Sequence, residues 1–122
     1  MDEAERVMEA LETIRCPAVC TEAELHGLIA EALDRAGLQA CHEVTLAPRC
    51  RIDFMAGGVG LEVKKSRPVR GALHRQLLRY AACPQVEALV VVAPRGVNLP
   101  KTAGGKRVYM VCLERLWGIS LP

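Results

Sequence analysis

The stretch Cys50-Arg51-Ile52-Asp53-Phe54-Met55-Ala56-Gly57-Gly58-Val59-Gly60-Leu61-Glu62-Val63-Lys64 decides the fold. Apolar and polar residues alternate from Cys50 to Met55 and again from Val59 to Lys64, with Gly57-Gly58 between them as turn residues, so the spacing predicts a β-hairpin. Side chains two apart on a strand share a face: Glu62 and Lys64 point the same way while Val63 points into the core. Asp53 then meets them across the ladder. A solvated face with a cross-strand ion pair is the plain alternative. Against it stands the setting of Glu62, between Leu61 and Val63 in an apolar stretch where an unpaired charge is costly.

Two carboxylates and a lysine in this arrangement suit a particular chemistry. A hard divalent ion such as Mg2+, or Mn2+ in its place, takes oxygen ligands, commonly one or two carboxylates with waters and substrate phosphate oxygens. Asp53 and Glu62 are the expected ligands, with the Val63 carbonyl as a third oxygen. Hydrolysis of a phosphodiester needs an activated water and a counter-charge for the phosphate, and Lys64 is the expected water-orienting or charge-stabilising group.

Outward from the hairpin the pattern reads as α/β. Residues 2–15 form a helix by the spacing of Val7, Met8, Leu11 and Ile14, ending before Pro17. A second helix covers residues 22–36, with Leu25, Leu28, Ile29, Ala32 and Leu33 on its apolar face and Gly37 as its stop. Strands are expected at 40–46, 51–55 and 61–65, a loop at 67–71 and a helix at 72–82. The β-branched run in residues 86–93 reads as a strand buried on both faces. Residues 95–106, rich in Gly, Pro and Lys, read as a mobile loop, and 107–112 as a final strand.

Length fits one domain spanning 1–122, with the helix at about 2–15 as an addition. A chain this size buries somewhat under about 70% of its unfolded surface, enough for a core without metal or disulfide staples. The chain has one Trp, one Phe and two Tyr, so an aromatic platform for stacking bases is not indicated. Net charge is only +2, yet Lys64, Lys65, Arg67, Arg70, His74, Arg75 and Arg79 fall in a stretch without an acid. That is a phosphate-binding face if the carboxylates beside it are a catalytic site, and a solvated surface otherwise. Six cysteines without paired Cys-x-x-Cys spacing read as reduced, mostly buried thiols rather than a zinc site. No signal peptide or membrane-length apolar run is visible, so a cytoplasmic protein is expected.

With these residues in place the chain resembles the PD-(D/E)XK nuclease superfamily, the fold of many restriction enzymes and Holliday-junction resolvases, from about Thr21 to Ala93. The resemblance implies a restriction-endonuclease-like αβββαβ core with a mixed central sheet flanked by helices. It implies catalytic roles for Asp53, Glu62, Lys64 and Gln76, and for Glu24 as the acid on the first core helix. Gln76 and Tyr80, one helical turn apart, match a Gln-x-x-x-Tyr variant of the motif. Ile52 stands where many members have proline. Glu24 has a competing reading as the N3 residue of a capping box after Thr21. Glu31 is the next helix acid, and Glu43 a candidate further ligand or strand-edge charge.

The implied activity is Mg2+- or Mn2+-dependent DNA endonuclease cleavage, with Lys65, Arg67, Arg70, Arg75, Arg79 and Tyr80 on the DNA. Alternatives are a structure-specific resolvase or repair nuclease, or an inactive nuclease-like module that binds DNA or protein. The apolar stripe of the N-terminal helix needs a cover, and a homodimer is one expected cover. Small size leaves room for a further protein that supplies specificity.

Overall fold

The structure, a computed structural model, describes residues 1–15 and 20–115. Cys16 and Pro17 lie outside them. Among the described residues the chain is an α/β protein with three α-helices and one six-stranded mixed sheet. The elements run α1 (Glu3–Leu11), α2 (Glu22–Arg35), β1 (Ala40–Ala47), β2 (Cys50–Ala56), β3 (Val59–Val63), α3 (Arg70–Ala81), β4 (Ala88–Ala93), β5 (Thr102–Ala103) and β6 (Lys106–Cys112), then a 3-10 turn at Leu113–Arg115. The sheet order is β1-β2-β3-β4-β6-β5. The meander β1-β2-β3 is antiparallel, β3, β4 and β6 are mutually parallel, and β5 closes the far edge antiparallel to β6.

Local sequence explains the helix limits. Thr21 accepts from the Glu24 N–H at 3.0 Å while Glu24 accepts from the Thr21 N–H at 2.8 Å, so α2 starts on a complete capping box. It stops where Gly37, at φ 76°, lets the Leu38 N–H reach the Leu33 carbonyl at 3.0 Å. Helix α1 is shorter than the predicted 2–15. Its regular bonds end near Leu11, and the Thr13 hydroxyl then bonds the Ala10 carbonyl at 2.7 Å, competing for a helix-end acceptor.

Two apolar layers sandwich the sheet. On one face α1 and α2 cover Phe54, Val59, Leu61, Val63, Val90 and Val92. On the other, Leu73, Leu77 and Tyr80 of α3 cover Ile52, Met55, Leu89 and Val91. Strands β3 and β4 are buried along their whole length, as expected for the parallel centre of a sheet. The stripe of α1, with Val7 and Leu11 fully buried, is covered by the chain's own sheet and α2. The feature that suggested a twin subunit is thereby satisfied within one chain. Residues 95–106, expected as loop throughout, hold β5, which turns back to β6 through Gly104 and Gly105 at φ 56° and 79°.

The β1-β2 ladder has one irregularity that matters for the site. Pairing passes from His42↔Phe54 to Val44↔Ile52 and leaves Glu43 and Asp53 between them unmatched. Glu43 there adopts a left-handed φ of 54°. Strand alternation is reset at this point, since Ile52 packs on the α3 side while Phe54, two residues on, packs on the α1/α2 side.

Candidate active site

Strands β2 and β3 pair as far as Phe54↔Leu61 and then part. Beyond that pair the Val63 N–H donates to Asp53 Oδ2 at 2.8 Å, so the Asp53 side chain replaces a backbone acceptor at the opening of the fork. The Lys64 N–H continues toward β4 and donates to the Val92 carbonyl at 2.7 Å. One face of the fork carries Glu62, which is 6% exposed.

Glu62 is held from three sides. The Tyr80 hydroxyl donates to its Oε1 at 2.8 Å, the Gln76 amide donates to its Oε2 at 3.1 Å, and the Lys64 ammonium lies 3.2 Å from Oε2. Gln76 and Tyr80, one turn apart on α3, are themselves joined, with the Gln76 amide 2.9 Å from the Tyr80 oxygen. The Arg51 carbonyl lies 3.1 Å from the same phenol, whose single proton serves either acceptor. A carboxylate taken out of water needs this number of donors.

The electrostatics follow the geometry. Burial, then the neighbouring Asp53 carboxylate, push the Glu62 carboxyl above its ordinary value, while Tyr80 and Lys64 pull against them. Burial and the Glu62 charge push the Tyr80 phenol far above its ordinary range, so it stays a donor. A site where one acid is held reluctant to ionise beside a second acid and an ammonium has the character of a working centre, and structural networks share it.

The remaining candidates are distributed more widely. Lys65, Arg67 and Arg79 line a concavity of about 420 Å³ together with Lys64 and Gln76. Arg70 and Arg75 are exposed and stand outside it. Glu24 is fully exposed and bonded into the Thr21 capping box, which holds its carboxyl below the ordinary value; Lys65 contributes the smallest part of that shift. Glu31 pairs with Arg35 at 2.6 Å on the outer face of α2. Glu43 is exposed at the register position facing Asp53.

Among the described residues no group of three or more His, Cys, Asp or Glu side chains is arranged to hold a metal ion. The donor set at the fork is therefore two carboxylates, with the backbone of Val63 beside them. Of the thiols, only Cys83 is buried among the described residues, Cys41 is exposed, and Cys20, Cys50 and Cys112 are half-buried, which corrects the expectation of mostly buried cysteines. Burial and the adjacent Cys83 push the Cys50 thiol upward. No helix of the described residues is long and apolar enough to cross a membrane.

One cluster has no counterpart in the sequence reading. His26 Nδ1 and His42 Nε2 lie 2.7 Å apart, and the His42 ring stacks on Phe54 with centroids 4.6 Å apart. The two histidines are sixteen residues apart on α2 and β1, so no short motif joins them. Comparison of the chain with protein-family models, with curated proteins and with solved structures finds no match.

Proposed function

We propose that the chain is a metal-dependent DNA endonuclease of the PD-(D/E)XK type, with a restriction-endonuclease-like core formed by α2-β1-β2-β3-α3-β4. The observation that carries this reading is the buried Glu62, held by Tyr80, Gln76 and Lys64 at the place where β2 and β3 part and Asp53 turns in. The donors fit the ion the sequence suggests. Mg2+ and Mn2+ take oxygen, and Mg2+ is commonly bound by one or two carboxylates that leave the rest of its shell to water and phosphate. Asp53 and Glu62 would hold it, with the Val63 carbonyl as a further oxygen. Bound there, the ion supplies a water of lowered pKa and a counter-charge for the phosphate.

The chain's own groups do the rest. Tyr80 and Gln76 fix the rotamer of Glu62, so its carboxylate is oriented before any ligand arrives. Lys64, 30% exposed against 8% for the Glu62 side chain, is the partner free to swing, from Glu62 to a phosphate oxygen or to the attacking water. Lys65, Arg67 and Arg79 around the adjoining concavity neutralise neighbouring phosphates, with Arg70 and Arg75 extending the basic face along α3. Glu24, closed into its cap, serves as an auxiliary acid only if that cap opens.

The test is incubation with plasmid, linear, single-stranded and four-way-junction DNA in Mg2+, Mn2+ or EDTA, beside Asp53→Ala and Lys64→Ala. Metal-dependent cutting lost in both variants supports the proposal, and the substrate cut separates a general endonuclease from a junction resolvase. Wild-type rates in either variant would end it. A second reading, a nuclease-like module that binds without cutting, is favoured by one observation: both Glu62 oxygens are already hydrogen bonded. Calorimetry with Mg2+ and Mn2+ distinguishes the two, because a binding module has no reason to hold the ion.

A further inference from the structure

Two segments far apart in sequence are laid against each other on the α3 side of the sheet. The Tyr80 hydroxyl lies 3.1 Å from the Arg51 carbonyl, and the Gln85 amide donates to the Leu46 carbonyl at 3.1 Å. These contacts bracket two cysteines. Cys83 falls between Tyr80 and Gln85 in the turn after α3, where its N–H bonds the Tyr80 carbonyl at 3.0 Å. Cys50 falls between Leu46 and Arg51 as the first residue of β2, paired with Ala47. Both cysteines belong to the same apolar layer, and the Cys50 thiol is within hydrogen-bonding reach of Cys83. The Cys83 thiol points at the Arg79 carbonyl at 3.5 Å, so its proton is engaged and its sulfur lone pairs are left toward Cys50.

Two packed thiols are ordinary apolar filler unless chemistry can reach them. Here the two differ in access. Cys50 is half-buried, while Cys83 is 6% exposed. One sulfur is open to a small solute, and the other is placed to meet whatever the first becomes.

We infer that Cys50 and Cys83 form a reversible disulfide on exposure to a hydroperoxide, with Cys50 attacked first and Cys83 resolving it. The Cys50 thiolate sulfur attacks one peroxide oxygen, the O–O bond breaks, and the departing hydroxide takes a proton and leaves as water. The Cys50 sulfenic acid is then attacked by the Cys83 sulfur. An S–S bond forms, the S–O bond breaks, and the oxygen leaves with the Cys83 proton as a second water. Two electrons pass from the sulfurs to hydrogen peroxide. Burial and the neighbouring Cys83 raise the Cys50 thiol, with Arg79 pulling against them, so thiolate is scarce at neutral pH and the pair answers sustained rather than brief exposure.

The bond reaches the carboxylate cluster through its neighbours. A disulfide holds its sulfurs about 2.0 Å apart, closer than any nonbonded contact, so the turn after α3 and the start of β2 are drawn together. Tyr80 and Arg51 lie on those two segments, and Tyr80 donates to Glu62 Oε1 at 2.8 Å. Regulation of cleavage by this route rests on the proposed nuclease function; formation of the disulfide does not.

The experiment treats the whole chain with hydrogen peroxide, digests it without reductant and maps the peptides by mass. A Cys50–Cys83 linked peptide, two hydrogens lighter than its parts and separated again by dithiothreitol, is expected. Its rate of formation should rise about tenfold per pH unit near neutrality, as a scarce thiolate requires. In Cys83→Ala, Cys50 should stop at the sulfenic acid and be trapped by dimedone; in Cys50→Ser, Cys83 should stay reduced. The linked wild type should show shifted Tyr80 and Arg51 resonances. Cleavage by the reduced chain tests the nuclease reading separately, because the peptide map is the same whether or not DNA is cut. The proposal is overturned if both thiols survive while the exposed Cys41 is oxidised, if Cys50 pairs with any other cysteine or a second chain, or if Cys83 reacts in the Cys50→Ser chain.

Discussion

Tyr80→Phe removes one oxygen from the centre of the site, and its cost should depend on pH. The lost group donates to Glu62 Oε1 at 2.8 Å and receives the Gln76 amide at 2.9 Å. A hydrogen bond to a charged group contributes about 1.5–3 kcal/mol and a neutral one about 0.5–1.5 kcal/mol. With Glu62 ionised, near pH 8, the substitution should destabilise by about 2–3 kcal/mol, or about 5–10 °C in Tm for a chain of this length. With Glu62 protonated, near pH 4, only the neutral bond is lost and the cost should fall to about 1 kcal/mol. The sign follows from linkage: the Tyr80 hydroxyl lowers the Glu62 pKa, so its removal raises the folded-state value further and penalises the ionised form more than the protonated one. Urea unfolding of both proteins across that range measures the difference. A cost equal at both ends, or below about 0.5 kcal/mol throughout, would show that the phenol does not support the carboxylate.

Further outcomes follow from single contacts. Glu62→Gln should abolish metal-dependent activity yet gain stability relative to wild type as pH rises. Burial and Asp53 raise the folded-state pKa, so the wild type loses stability as pH climbs through the unfolded carboxylate pKa toward the folded one, and glutamine has no such loss; paired thermal scans across that range test the slope. Gly60→Ala places a methyl 2.6 Å from Ile52 Cδ1 and 3.2 Å from Leu89 Cδ2, and should cost about 1–3 kcal/mol in chemical denaturation. Thr21→Ala should cost about 1 kcal/mol through the lost cap of α2, and it releases Glu24, so any auxiliary role for that acid would show as a changed cleavage rate. Lys64→Ala should remove cleavage and, by taking one of three donors from the buried Glu62 carboxylate, should lower the unfolding free energy by about 1–3 kcal/mol while the fold stays intact.

Much of this arrangement is written in short-range pattern. The hairpin from Cys50 to Val63, the capped α2 and the all-apolar β4 are visible because period, turn residues and caps are local signals. The meeting of Gln76 and Tyr80 with Glu62 follows once α3 is laid on the hairpin, which the β3-α3-β4 crossover requires. Strand β5 is not legible in this way, because two residues carry no period and only pairing with β6 defines them. The Gly104-Gly105 turn was the available signal. The His26–His42 contact has no local signal at all, since it depends on the tertiary placement of α2 over β1. The end of α1 at Leu11 is not legible either, because Ile14 is buried and apolar spacing does not distinguish a helix from the turn that follows it.

The left-handed Glu43 opposite Asp53 has a consequence for how β1 and β2 can be altered. In an even ladder, a slip of one residue exchanges the two faces as a whole and leaves a regular, if inverted, hairpin. Here the phase of both strands changes at facing positions, so a slip moves the change on one strand away from its match on the other. Ile52 and Phe54 then cannot both reach their own layers. The hairpin works as a keyed joint, in which the outermost strand fixes the height of Asp53 relative to Val63 although it supplies no group to the carboxylate cluster.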